Sequence, residues 1–83
     1  MTLTQPSISI TKTIDARGMA CPGPLMTLIG AVRAGAIGDT FAVLSSDAGS
    51  KTDIPAWTAK AKHELVEAAP GEGYVTFIIR KSH

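Results

Sequence analysis

The spacing of hydrophobic positions along this chain switches between a period of two and a period near three and a half. Ile8, Ile10 and Ile14 share one parity, interrupted at Lys12, which predicts a strand with one buried face. Leu25, Leu28, Ile29 and Val32 fall at i, i+3, i+4 and i+7, the spacing that gathers side chains on one face of a helix. Pro22 and Pro24 suit the start of that helix, because amides in a first turn have no intrahelical partner to lose. Gly35 supplies its stop, and Arg33 favours the negative end of its dipole. Thr40-Phe41-Ala42-Val43-Leu44 is a nearly continuous apolar run, as expected of a central strand covered on both sides.

A second helix carries Ile54, Trp57 and Ala61 on one side and is expected to finish around Lys62. Two starts fit it: Ser50 in a capping box with Asp53, or Asp53 itself capping ahead of Pro55. Beyond the turn-forming Ala69-Pro70-Gly71-Glu72-Gly73, Val75, Phe77 and Ile79 alternate with Tyr74, Thr76 and Arg80. A strand of that kind needs a neighbour, so Glu64 to Ala68 reads as its hairpin partner. The order βαβαββ predicts parallel right-handed crossovers and a final antiparallel pair. The fold expected is a two-layer α/β (α+β) sandwich, a four-stranded mixed sheet with two helices on one face. Residues 1–7, polar with one proline, are expected to form a flexible N-terminus, and residues 8–83 a single domain.

Composition narrows the function more than the fold. A net charge of +1, with eight basic residues scattered among 83, leaves no basic stripe for direct nucleic-acid binding. One cysteine permits no internal disulfide. Met1 to Ser7 lacks the basic-then-apolar profile of a signal peptide, and no apolar run reaches the length of a membrane span. The expected location is therefore the cytoplasm, without membrane insertion.

The single cysteine changes the picture most. Cys21 falls at or just before the N-cap of the first predicted helix, where unpaired N–H groups and the positive end of the dipole favour an anion. A thiol there ionises more readily than a free cysteine, and a persulfide on it is favoured in its anionic form. Pro22, Gly23 and Pro24 keep the adjacent backbone rigid and bare, which suits a sulfur that must be reached. The competing reading is a small buried hydrophobe, the common fate of a free cysteine. No second cysteine is present to attack a persulfide and discharge it as hydrogen sulfide. That absence counts against a Cys-x-x-Cys redox enzyme.

The stretch Ile14-Asp15-Ala16-Arg17-Gly18-Met19-Ala20-Cys21-Pro22-Gly23-Pro24 resembles the signature of the TusA/SirA-type sulfur-carrier family, Asp-x-x-Gly followed by Cys-Pro-x-Pro. The resemblance continues through Gly38-Asp39-Thr40, Asp47-Ala48-Gly49-Ser50, Asp53-Ile54-Pro55-Ala56-Trp57, His63-Glu64-Leu65 and Ile78-Ile79-Arg80-Lys81. It implies a βαβαββ sandwich and a persulfide carried on the cysteine matching Cys21. It also implies a protein donor of the cysteine desulfurase or rhodanese type and a protein acceptor. The routes it implies are tRNA thiolation, cofactor biosynthesis and sulfur-compound oxidation, with no cofactor of its own. Gly23 fills the variable position between the prolines and does not select among them.

Other residues are read locally. Arg17, four residues before the sulfur, either holds an anion or a partner carboxylate or is a solvated loop arginine. Asp15 is expected to order the strand–helix connection, and Asp47 and Asp53 to serve turns and caps. His63 and His83 have no Cys or His at ligand spacing, so no metal site is expected. Trp57 reads as core, and Lys51, Lys60 and Lys62 as a solvated helix face or a contact for an acidic partner. The function expected is a relay of persulfide sulfur on Cys21. The alternatives are a thiol redox protein forming mixed disulfides and a regulatory interaction module that does not use the cysteine.

Overall fold

Strands and helices alternate as β1 (Lys12–Asp15), α1 (Gly23–Ala34), β2 (Thr40–Ser45), α2 (Ser50–Lys60), β3 (Glu64–Pro70) and β4 (Val75–Arg80). This is a computed structural model, and it describes residues 10–20 and 23–83. The sheet order is β1-β2-β4-β3. β1 lies parallel to β2, while β4 is antiparallel to both β2 and β3. β2 and β3 therefore run the same way, as the βαβ pattern predicts. They are not neighbours, because β4 fills the place between them.

Register explains the core. Ile14 pairs with Val43, Val43 with Phe77, and Phe41 with Ile79, so one sheet face carries a continuous apolar set. Leu28 and Val32 of α1 and Ile54 of α2 close over it, with Leu25 and Trp57 packed at its margin. The predicted helix face and the predicted alternation in β4 are thus the two halves of one core. Thr40 and Ala42 belong to the opposite face of β2 and are each 5% exposed, so the central strand is covered on both sides as its apolar run suggested.

Several boundaries differ from the sequence expectation. β1 begins only at Lys12, and Ile14 is the residue it gives to the core; Ile10 precedes the strand and is exposed, and Ile8 and residues 1–7 lie outside the described residues. β3 runs on to Pro70, so the turn is Gly71–Tyr74, closed by the Gly71 N–H donating to the Tyr74 carbonyl at 2.7 Å. Gly35 follows α1 as expected, for a reason of packing: a Cβ there would run into the Phe41 ring.

The second helix differs at its start and ends close to the expected Lys62. Gly49 is its N-cap, with no side-chain capping bond. The Ser50 hydroxyl is buried and accepts a hydrogen bond from Ser45 at 2.8 Å, and neither Ser50 nor Asp53 is the N-cap residue. Pro55 lies inside the helix, where it has no N–H to offer the turn before it. At the other end Lys62 has φ of 63°, and the helix stops at Lys60. His63 N–H donates to the Thr58 carbonyl at 3.0 Å and Lys62 N–H to that of Ala59 at 3.1 Å. This is a Schellman closure, completed by the contact of His63 with Trp57 at 5.7 Å between ring centroids. Lysine is strained at a position that glycine occupies freely, so Lys62→Gly should stabilise the fold by about 0.5–1 kcal/mol in urea unfolding.

The C-terminal residues are held against this corner. Ser82 N–H donates to His63 Nδ1 at 3.1 Å, His83 stacks on His63 at 4.7 Å, and His83 Nε2 meets the Ala61 carbonyl at 2.8 Å. Burial, then the neighbouring His83 and Lys81, push the His63 pKa below its ordinary 6.5. The folded state therefore binds less proton at His63 than the unfolded chain does. That contribution to stability is complete above 6.5 and is lost as pH falls through 6.5 toward the lower folded value. Tm should fall across this window, and His63→Asn, which keeps an acceptor for Ser82 but does not titrate, should flatten the slope.

Candidate functional site

The connection from β1 to α1 is built by local hydrogen bonds. Ala16 is fully buried and its N–H donates to the Leu44 carbonyl at 2.8 Å, prolonging the parallel pairing past β1. Gly18 follows with φ of 86°, a conformation that suits glycine, and its N–H donates to Ser46 Oγ at 2.9 Å. This bond ties the connection to the loop after β2. Met19 N–H turns back to the Ala16 carbonyl at 3.1 Å, and Gly23 N–H to the Ala20 carbonyl at 2.8 Å.

Helix α1 starts at Gly23, with Pro24 as its second residue and buried, as the proline spacing predicted. Cys21 and Pro22, both expected at the site, lie outside the described residues. Their described neighbours define the surroundings. Met19 packs on Gly23, where an added Cβ would sit 3.3 Å from the Met19 Cβ. Met19 and Met26 are both exposed, so the surface beside the helix start carries two thioether side chains. The positive end of the α1 dipole faces the segment that enters it.

Arg17 and Asp15 form one unit. Arg17 donates from Nε to Asp15 Oδ1 and from an Nη to Oδ2, each at 2.8 Å, and its backbone N–H reaches Oδ1 at 3.2 Å. These bonds, the side-chain pair first, hold the Asp15 carboxyl down at about 2. Asp15 thus orders the connection as expected, and two donors of the Arg17 fork are engaged within the chain. The guanidinium also lies over the Tyr74 ring at 5.3 Å from its centroid, linking the connection to the β3–β4 turn. The sequence offers no signal for that contact, which spans most of the chain.

Asp47 takes a turn role: its carbonyl accepts from Ser50 N–H at 3.2 Å, while its Oδ2 is buried without a hydrogen-bond partner. Among the described residues no group of three His, Cys, Asp or Glu side chains could hold a metal ion. No helix among them is long and apolar enough to cross a membrane.

Known proteins match this arrangement. The family model described as Sulfurtransferase TusA matches residues 12–81. A protein of Archaeoglobus fulgidus named as a candidate sulfur carrier is 47% identical over 68 residues, covering 82% of this chain and 93% of its own. The sulfur carrier protein TusA of Pseudomonas aeruginosa is 37% identical over 73 residues, covering 88% and 92%. The crystal structure of a SirA-like protein from Desulfitobacterium hafniense superposes with a TM-score of 0.76 at 23% identity, covering 87% of this chain and 99% of that one, and supports the fold. The chain belongs to the TusA sulfurtransferase family. Its role is in sulfur relay, which agrees with the family resemblance in the Asp-x-x-Gly and Cys-Pro-x-Pro motifs.

Proposed function

We propose that this protein carries sulfane sulfur as a persulfide on Cys21 and relays it between two protein partners in the cytoplasm. The observation that supports this reading most is the start of α1 at Gly23, directly after the Cys-Pro pair that holds the chain's one cysteine. In loading, the Cys21 thiolate attacks the outer sulfur of a donor persulfide; a Cys21–sulfur bond forms and the donor thiolate leaves. In unloading, an acceptor thiolate attacks that outer sulfur and the Cys21 thiolate leaves. Sulfur passes at one oxidation level, so no external oxidant or reductant enters.

A lower thiol pKa helps both steps, raising the thiolate available to attack and improving it as a leaving group. Gly23 and the buried Pro24 fix the helix start, and the Asp15–Arg17 pair orders the approach to it. A cysteine desulfurase or a rhodanese-type protein suits the donor role, and a second thiol-bearing protein the acceptor role. Arg17 supports the site by ordering the loop through its fork on Asp15. Incubation with a persulfide donor should add the mass of one sulfur atom to the intact protein, removable by a reducing thiol. Cys21→Ser should show no gain, and a gain retained in that variant would overturn the assignment.

A further inference from the structure

A cleft of about 290 Å³ opens between the loop after β2 and the β3–β4 turn, lined by Ser45, Ser46, Lys51, Pro70, Gly73 and Tyr74 among others. It lies at the end of the sheet where β1 and β2 finish, next to the connection that Gly18 ties to Ser46. Lys51 is the charged residue in its wall, and no carboxylate lines it. The Lys51 ammonium forms no ion pair among the described residues. Ser46 Oγ accepts from Gly18 N–H, which leaves its hydroxyl proton free to donate into the cleft. Tyr74 adds a phenolic donor on a ring that Arg17 covers at 5.3 Å and that packs against Gly71, where an added Cβ would lie 2.6 Å from the ring.

One cation and two hydroxyl donors around a space without acids favour a ligand rich in acceptor oxygens. The volume, at the lower end of small-molecule sites, suits a small ion or a short organic acid. We infer that this cleft binds a small oxyanion, an inorganic sulfur oxyanion or a short carboxylate, through Lys51, Ser46 and Tyr74. The inference goes beyond the relay reading and stands without it, since none of these residues is the sulfur-carrying group.

The test is a nitrogen-15 amide titration of the Cys21→Ser protein, in which no covalent sulfur chemistry occurs at residue 21. Thiosulfate and 3-mercaptopropionate are the probes, with 2-mercaptoethanol as the uncharged control and ionic strength held constant with chloride. Saturable shifts are expected at Ser46, Lys51, Gly73 and Tyr74 with one or both anions and not with the control. Whichever anion saturates identifies the ligand source. Lys51→Gln should weaken binding about tenfold, as expected for a lost charge-assisted hydrogen bond. Tyr74→Phe, which keeps the ring under Arg17, should weaken it less. Absence of saturation with both anions, shifts elsewhere on the fold, or equal affinity in Lys51→Gln would overturn the proposal. Sulfur loading of the Lys51→Gln protein with Cys21 intact reports separately on the relay.

Discussion

Phe41→Ala should be the most destabilising single change considered, at about 3–5 kcal/mol in urea unfolding. Phe41 is 2% exposed on the central strand, faces Ile79 across the ladder, and fills the space that Gly35 leaves open at the end of α1. Removing the ring opens a cavity between β2 and the α1 C-terminus that the strand cannot close, because β1 and β4 hold it on both sides. A chain of 83 residues has a total stability of about 4–12 kcal/mol, so the variant should lose a large share of it. An unfolding midpoint within a few tenths molar of the parent would contradict this packing.

The second large effect is chemical. Alkylation of Cys21 by iodoacetamide should persist to lower pH than that of a cysteine in an unstructured peptide of the same local sequence. A difference of about one pH unit between the profiles, near tenfold in rate on the acid side, matches the field of a helix start. Asp15→Asn should reduce the difference by loosening the Arg17 fork that orders the entry to α1. Coincident profiles for protein and peptide would remove the electrostatic part of the account.

Much of this architecture can be read from residue spacing, and what cannot has identifiable causes. The alternation Val75, Phe77, Ile79 and the run Thr40 to Leu44 are legible because one buried face and two buried faces leave different patterns. Strand order is not legible that way: β4 enters between β2 and β3, and both arrangements give the same periodicities. The start of α2 misleads because the Ser50 hydroxyl is drawn to Ser45, leaving the backbone of Gly49 to begin the helix. Its end falls close to the expected Lys62, although the left-handed residue that closes it is a lysine where glycine would ordinarily be the signal.

The site shows the same division. Cys21 stands out in the sequence by its neighbours and its solitude, and the Asp15 bond to its own loop follows from a short-range rule. The contacts of Gly18 with Ser46 and of Arg17 with Tyr74 join segments far apart in the chain. They depend on register and have no local signature. The cleft that Tyr74 and Ser46 share emerges only from those contacts.

Transfer of labelled sulfur in a single turnover addresses the relay most directly. Protein loaded on Cys21 and mixed with a thiol acceptor should lose its sulfur while the acceptor gains an equal amount, and intact mass should show the carrier returned to its free thiol. A mixed disulfide between carrier and acceptor, with the label released as hydrogen sulfide, would contradict the relay and support a redox role.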